Sequence, residues 1–348
     1  MVTQELRNAP MSEHPEEANP PLADTRLVAL HQWLREELAL PVVDVTPASA
    51  DASFRRYFRV SCADGCSRIV MDAPPDKEEV RPFVAISALL AGLGLHVPRV
   101  LAQDERQGFL LLTDLGSQQY LGMLADAPAR LYGDALRALV RLQSCPAAEM
   151  RGLPLYDEML LREELALFSD WYLQRLLGVS LEGEQRQVWE ESGTLLVSSA
   201  LEQPQVLVHR DYHSRNLMVT QPNPGILDFQ DAVVGPVSYD VVSLLRDCYI
   251  AWPREQVEGW LRDYHRLACD AGVLRDVPFR QLLRWFDLMG VQRHLKAAGI
   301  FARLRIRDGK PGYLQDIPRT LGYVREVCSR YRELAGLGRL LAALPPLP

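Results

Sequence analysis

The stretch from Val206 to Asp231, VLVHRDYHSRNLMVTQPNPGILDFQD, limits the folds open to this chain more than any other. Val206-Leu207-Val208 is short, β-branched and apolar, as a buried strand should be, and Leu217-Met218-Val219 repeats that character after a polar loop. Gln221-Pro222-Asn223-Pro224-Gly225 is then a turn, and Gly225-Ile226-Leu227 starts another strand. Two strands joined by a turn carry Asn216 before one and Asp228 after the other, so both side chains are expected at the same end of a hairpin. Asp211 lies in the loop that feeds it. A carboxylate, a carboxamide and a second carboxylate at these spacings suit phosphoryl transfer. Asp211 would orient an attacking hydroxyl, and Asn216 and Asp228 would hold magnesium on nucleotide phosphates.

The pattern His209-x-Asp211-x4-Asn216, followed by Leu227-Asp228-Phe229-Gln230 and Gly235-Pro236-x2-Tyr239-Asp240, resembles the aminoglycoside phosphotransferase and choline kinase family. The fold of that family is similar to that of protein kinases. The resemblance implies an α+β, bilobal, protein-kinase-like fold with a small antiparallel-sheet N-lobe and a larger, mainly helical C-lobe, working with ATP and Mg2+. Laid on the sequence, it gives a mobile N-terminal tail over 1–22, a nucleotide-binding N-lobe over 23–114, a catalytic and substrate-binding C-lobe over 115–335 and a C-terminal tail over 336–348.

Composition agrees with a globular chain. Its 348 residues, 48% hydrophobic and 24% charged, suffice for two lobes with their own cores. A net charge of −7 argues against nucleic acid as a general partner. The six cysteines are scattered, and Cys62 and Cys66 lack a second close pair to complete a zinc site, so reduced thiols are expected. There is no basic segment followed by an apolar core at the N-terminus and no long apolar run, so a cytoplasmic protein with no membrane contact and no obligate protein partner is expected.

In the small lobe, Asp24 is a candidate N-cap ahead of Leu27, Leu30, Leu34 and Leu38, which share one helical face. A kinase-like first hairpin folds over the nucleotide and needs small residues for close backbone approach to phosphate. Ala52 and Ser53 supply these, which places Ser53, Phe54, Arg55 and Arg56 against the nucleotide. Arg55 and Arg56 alternate faces, so one can point to phosphate while the other faces solvent. In the resembling family the next strand, here Ser67 to Ala73, carries a phosphate-binding lysine. Met71 and Asp72 stand in its place, and Arg55 or Arg56 is expected to supply the missing charge. Lys77 is expected to open a helix bearing Phe83, Ile86, Leu89 and Leu90. His96 to Leu101 and Phe109 to Thr113 read as strands, and the resemblance puts adenine against the backbone at Leu112, Thr113 and Asp114.

Beyond this hinge the pattern turns helical, with helices around Leu131–Leu142, Met159–Leu176 and Trp189–Leu201. Asp240, opening the apolar run from Val241, is expected to cap a helix and tie down the catalytic loop. Gln230 and Asp231 sit just past the metal ligand, where an acceptor would lie. A later helix carries Arg293, His294 and Lys296 among apolar residues, with Gly290 and Gly299 leaving room for a close approach. Such donors suit an anionic or neutral sugar better than a cationic aminoglycoside. Indeed the segments DASFRRYFRV, HRDYHSRNLM, ILDFQDAVVGPVSYD and GVQRHLKAAGIFARL look like the bacterial amino-sugar kinases of cell-wall recycling. That likeness implies phosphorylation of the anomeric (C1) hydroxyl of N-acetylmuramate and N-acetylglucosamine, with Asp211 catalytic. A kinase for an aminoglycoside or an amino alcohol such as choline, and a catalytically silent nucleotide-binding regulator, are the alternatives.

Overall fold

The structure is a computed structural model that describes residues 24–50 and 54–348. The tail expected over 1–22 and the expected phosphate contact Ser53 lie outside the described residues. Helix α1 (Thr25–Gln32) starts where the sequence suggests: the Asp24 carboxylate accepts the Leu27 N–H at 3.1 Å. It continues as a π-helical turn, Trp33–Glu37.

Five antiparallel strands follow: β1 (Val42–Ala50), β2 (Arg56–Cys62), β3 (Ser67–Asp72), β4 (Val100–Asp104) and β5 (Phe109–Thr113), in the order β1-β2-β3-β5-β4. Period-two alternation sends Phe58, Val60, Val70, Phe109 and Leu111 against Leu30, Trp33 and Leu34 of the first helix. The opposite set, Tyr57, Ile69, Met71, Leu110 and Leu112, packs with helix α2 (Arg81–Gly92) into a core continuous with the helical lobe. Each fully buried side chain of this kind contributes about 1.5–3 kcal/mol. The two cores are therefore divided at the sheet, not between the lobes as expected.

The helical lobe holds α3 (Tyr120–Met123), α4 (Pro128–Gln143), α5 (Glu158–Leu167) with its π-helical extension Phe168–Leu176, and α6 (Gly183–Leu201). Strand β6 (Gln205–Val208) comes next, and the hairpin β7 (Leu217–Met218) and β8 (Gly225–Ile226) forms with Leu217 paired to Ile226. Strand β9 (Val233–Pro236), helices α7 (Ser238–Leu245), α8 (Arg254–Asp270), α9 (Phe279–Ile306), α10 (Ile317–Arg330) and α11 (Ala335–Ala342) complete it.

Several boundaries differ from expectation. The helix placed at Lys77 begins at Arg81, because Lys77 closes a turn onto the Pro74 carbonyl at 2.9 Å. The strand placed at His96 begins at Val100; His96 instead bridges to Gly225, its carbonyl accepting the Ile226 N–H at 2.8 Å, which ties the catalytic hairpin to the small lobe. The segment expected as a C-terminal tail contains α11, with Leu337 and Leu341 buried. Gly299 does allow a close approach, but of helix to helix: a Cβ there would meet the Leu167 carbonyl oxygen at 2.4 Å. All six cysteines are unpaired thiols, as expected.

Candidate active site

The hairpin does what its sequence suggests. The Asn216 carbonyl accepts the Leu227 N–H at 2.9 Å, which closes the two strand ends on each other. Asn216 Nδ2 then donates to Asp228 Oδ2 at 3.1 Å and to the Asp211 carbonyl at 3.1 Å. One amide thus joins all three residues singled out in the sequence. Gln230 Nε2 donates to Asp228 Oδ1 at 2.8 Å, so Gln230 braces the expected metal ligand. Gln230 and the exposed Asp231 do not line the cavity beside Asp211 described below. Asp228 has φ of +61° and Arg210 +77°, left-handed values that cost a non-glycine residue of order 1–3 kcal/mol and cluster at functional sites.

Three buried carboxylates hold the catalytic loop in that conformation. Asp240 accepts the His209 N–H at 2.7 Å and the Arg210 N–H at 3.0 Å, the tie expected of it. It stands in the first turn of α7 and does not cap it; the position before that helix is Val237. Burial pushes Asp240 up to about 7 against the pull of those two N–H groups. Asp247 accepts the Ser214 N–H at 2.9 Å and the Ser214 hydroxyl at 2.5 Å. Glu164, on α5, accepts from Arg210 Nη2 at 2.7 Å, from Lys296 Nζ at 2.6 Å and from the Tyr156 hydroxyl. Sequence reading missed Asp247 and Glu164. The first had a signal, a carboxylate in an apolar run seven residues after Asp240, whereas Glu164 sits among ordinary helical residues and had none.

Asp211 opens onto a cavity of about 100 Å³ that is also lined by His213, Tyr239, Tyr249, Arg293 and Lys296. Burial acts to raise the Asp211 pKa, but Lys296 foremost, with His213 and then Arg293, outweighs it and keeps the carboxyl below the usual carboxylate range. Asp211 is therefore an anion, able to accept a hydrogen bond. Two of the three expected cationic donors, Arg293 and Lys296, reach this cavity. His294 does not: it is buried on the other side of α9, its Nε2 on the Arg246 carbonyl at 2.7 Å and its ring 4.9 Å from that of Tyr323. Burial, aided by neighbouring Arg293, drives its pKa down to about 3. Two residues on, Lys296 falls on the opposite side of α9, since successive helical positions turn by about 100°.

In the small lobe the two arginines separate. Arg55 pairs with Glu78 at 2.8 Å in the segment leading into α2. Arg56 faces α1, where it meets Asp24 and donates to Asp72 Oδ2 at 2.5 Å and 2.9 Å. Asp72 has no exposed surface and also accepts from Arg26 at 2.8 Å. Arg56 is thus held by Asp24 and Asp72 on the α1 side of the sheet, and Arg55 by Glu78. Met71, in the place of the family lysine, is fully buried on the α2 side. Phe54 is exposed, with Lys77 Nζ 5.9 Å from its ring centre.

At the hinge, Leu112 is flanked by Ile69 and Val100 within the sheet, and the Thr113 N–H is taken by the Arg99 carbonyl at 3.0 Å. The Asp114 side chain turns back to accept from Arg59 Nε at 2.7 Å, the Ser67 hydroxyl at 2.5 Å and the Gly116 N–H at 2.8 Å. Arg59 also donates to the Gly116 carbonyl at 2.8 Å, and so fastens the sheet to the segment entering the helical lobe.

The described donors also suit the expected metal. Asn216 and Asp228 each carry a hard oxygen and stand within hydrogen-bond distance of each other, a donor set that suits magnesium, an ion usually held by one or two protein groups with phosphates and water completing its shell. The model of the phosphotransferase enzyme family matches residues 44–283. The chain belongs to this phosphotransferase family. A Pseudomonas aeruginosa protein named N-acetylmuramate/N-acetylglucosamine kinase is 52% identical to this phosphotransferase over 333 residues, covering 92% of this chain and 98% of that protein. A Neisseria meningitidis protein of the same name is 45% identical over 324 residues, covering 92% and 96%. Among solved structures, the GDP complex of aminoglycoside 2'-phosphotransferase-IIIa superposes with a TM-score of 0.60 at 16% identity, over 88% of this chain and all of that one, which establishes the kinase-like fold. No helix among the described residues is long and apolar enough to cross a membrane.

Proposed function

We propose that this phosphotransferase is an ATP-dependent, magnesium-requiring kinase that phosphorylates the anomeric C1 hydroxyl of N-acetylmuramate and N-acetylglucosamine. The observation that carries the reading is the single amide of Asn216 holding Asp211 and Asp228 at the hairpin end, beside a cavity supplied with two cations. The names and coverage of the relatives support the acceptor class.

Asp211 accepts a hydrogen bond from the acceptor hydroxyl and takes its proton as that oxygen bonds to the γ-phosphorus and the bond from the γ-phosphorus to the bridging oxygen breaks, with ADP as the leaving group. Its low pKa fits a group that first orients the hydroxyl and receives the proton late. Asn216 and Asp228 would hold Mg2+, which would neutralise charge on the nucleotide phosphates. Arg55, positioned by Glu78, takes the phosphate contact that a lysine makes in the wider family, and the backbone at Asp114, past the Thr113 N–H that Arg99 already holds, receives adenine. Lys296 and Arg293 line the acceptor side, an arrangement that disfavours a polycationic aminoglycoside.

Incubation with ATP, magnesium and a panel of amino sugars, choline and aminoglycosides, followed by NMR location of the phosphate, tests the reading. A C1 phosphate on the N-acetyl amino sugars is expected. Turnover confined to choline or to aminoglycosides would overturn it.

A further inference from the structure

The cavity beside Asp211 holds two cations in different states. Lys296 is already matched: its ammonium lies 2.6 Å from Glu164 Oε1 and donates to the Tyr239 hydroxyl at 2.9 Å. Arg293 is 93% buried, since only 7% of its surface is exposed, yet no carboxylate among the described residues lies within ion-pair distance of it. Its Nη1 reaches only the Cys248 sulfur at 3.7 Å, and its buried Nε has no hydrogen-bond partner. A guanidinium taken out of water without an anion is costly, and such a group is kept where a ligand completes it. Around Asp211 the cations Arg210, Lys296 and Arg293 share the carboxylates Glu164, Asp211, Asp240 and Asp247; Asp240 and Asp247 are taken up by loop N–H groups, Glu164 by Arg210 and Lys296, and Asp211 is committed to the acceptor hydroxyl, so none forms an ion pair with Arg293.

We infer that Arg293 is the seat of a carboxylate carried by the acceptor, so that this residue sets the preference between an acidic and a neutral amino sugar. The planar fork of Arg293 offers two parallel N–H groups to a carboxylate, which a lysine cannot do. The inference rests on the amino-sugar kinase reading: N-acetylmuramate carries a carboxylate on its ether side arm and N-acetylglucosamine carries none.

The test measures kcat/KM for N-acetylmuramate, its neutral methyl ester and N-acetylglucosamine, in the wild type and in R293Q. In the wild type, esterification should lower kcat/KM by about tenfold or more, the scale of one lost charge-assisted hydrogen bond. R293Q should respond to esterification by less than about threefold, and its ratio of N-acetylmuramate to N-acetylglucosamine turnover should fall by about tenfold or more. If the wild type handles acid and ester alike, the inference is wrong whether or not R293Q folds. Parallel losses on all three substrates in R293Q would likewise overturn it and leave Arg293 a general part of the site. Failure of the wild type to phosphorylate either sugar would instead overturn the underlying reading.

Discussion

Arg55 meets Glu78 at 2.8 Å, while its neighbour Arg56 turns to the other side of the sheet to meet Asp24 and Asp72. Adjacent residues of the same type therefore carry separable roles. Arg55→Ala should raise the KM for ATP by about tenfold or more, because a phosphate contact is lost, and should also lower the Tm, because its side chain is only 10% exposed and leaves Glu78 unpaired. Arg56→Ala should leave that KM within about threefold and lower stability by about 1–3 kcal/mol, because Asp72 is buried and keeps only Arg26. Steady-state kinetics and thermal melts on both variants check the division.

Glu164 lets the helical lobe set the catalytic loop. Its side chain is 5% exposed, and it holds Arg210 from the loop and Lys296 from α9 on one oxygen. Burial would raise its pKa, but Lys296 and Arg210 outweigh that and keep it ionised. Glu164→Gln preserves volume and leaves two partly buried cations without their anion, so stability should fall by about 3 kcal/mol or more. kcat should fall with it, since Arg210 is held at a left-handed φ partly through this contact. Chemical denaturation and kcat measured on the same preparation test this; an unchanged midpoint would remove the role.

Acid should destabilise the protein through its buried histidines. His294 is held at about 3 and His209 at about 4, both chiefly by burial, against an unfolded value of 6.5. As pH falls below about 6.5 the unfolded chain takes up these protons and the folded chain does not, so stability drops toward pH 4. Asp240 works in the opposite sense: pushed up to about 7, it binds its proton in the folded state first and gains stability as pH falls through that value. His294→Gln should reduce the acid slope by about one proton, roughly 1.4 kcal/mol per pH unit. Melts between pH 7 and 4.5 give the slope.

The meeting of Asp211, Asn216 and Asp228 was legible in the sequence because it depends on local spacing. Asn216 and Asp228 flank a tight hairpin, so a two-residue strand pairing brings them together whatever the rest of the chain does. The large-lobe helices were legible from apolar periodicity. What was not legible depends on distant packing. Arg293, His294 and Lys296 look alike on the page, and only the rotation of α9 against α7 and α5 puts two of them at the cavity and buries the third. The division between Arg55 and Arg56 likewise required knowing that α1 covers one face of the sheet and brings Asp24 and Arg26 with it. Glu164 carried no local mark, because its partners lie 46 and 132 residues away in the chain.

The most direct test of the central claim is single-turnover transfer from ATP to N-acetylglucosamine in Asp211→Asn, measured beside nucleotide affinity. The substitution keeps the loop, the Asn216 link to the Asp211 carbonyl and the metal ligands, and removes only the anion that receives the proton. The transfer rate should fall by about 100-fold or more while the Kd for ATP with magnesium stays within about threefold of wild type. Transfer at the wild-type rate in this variant would contradict the assignment of Asp211 and with it the account of the site.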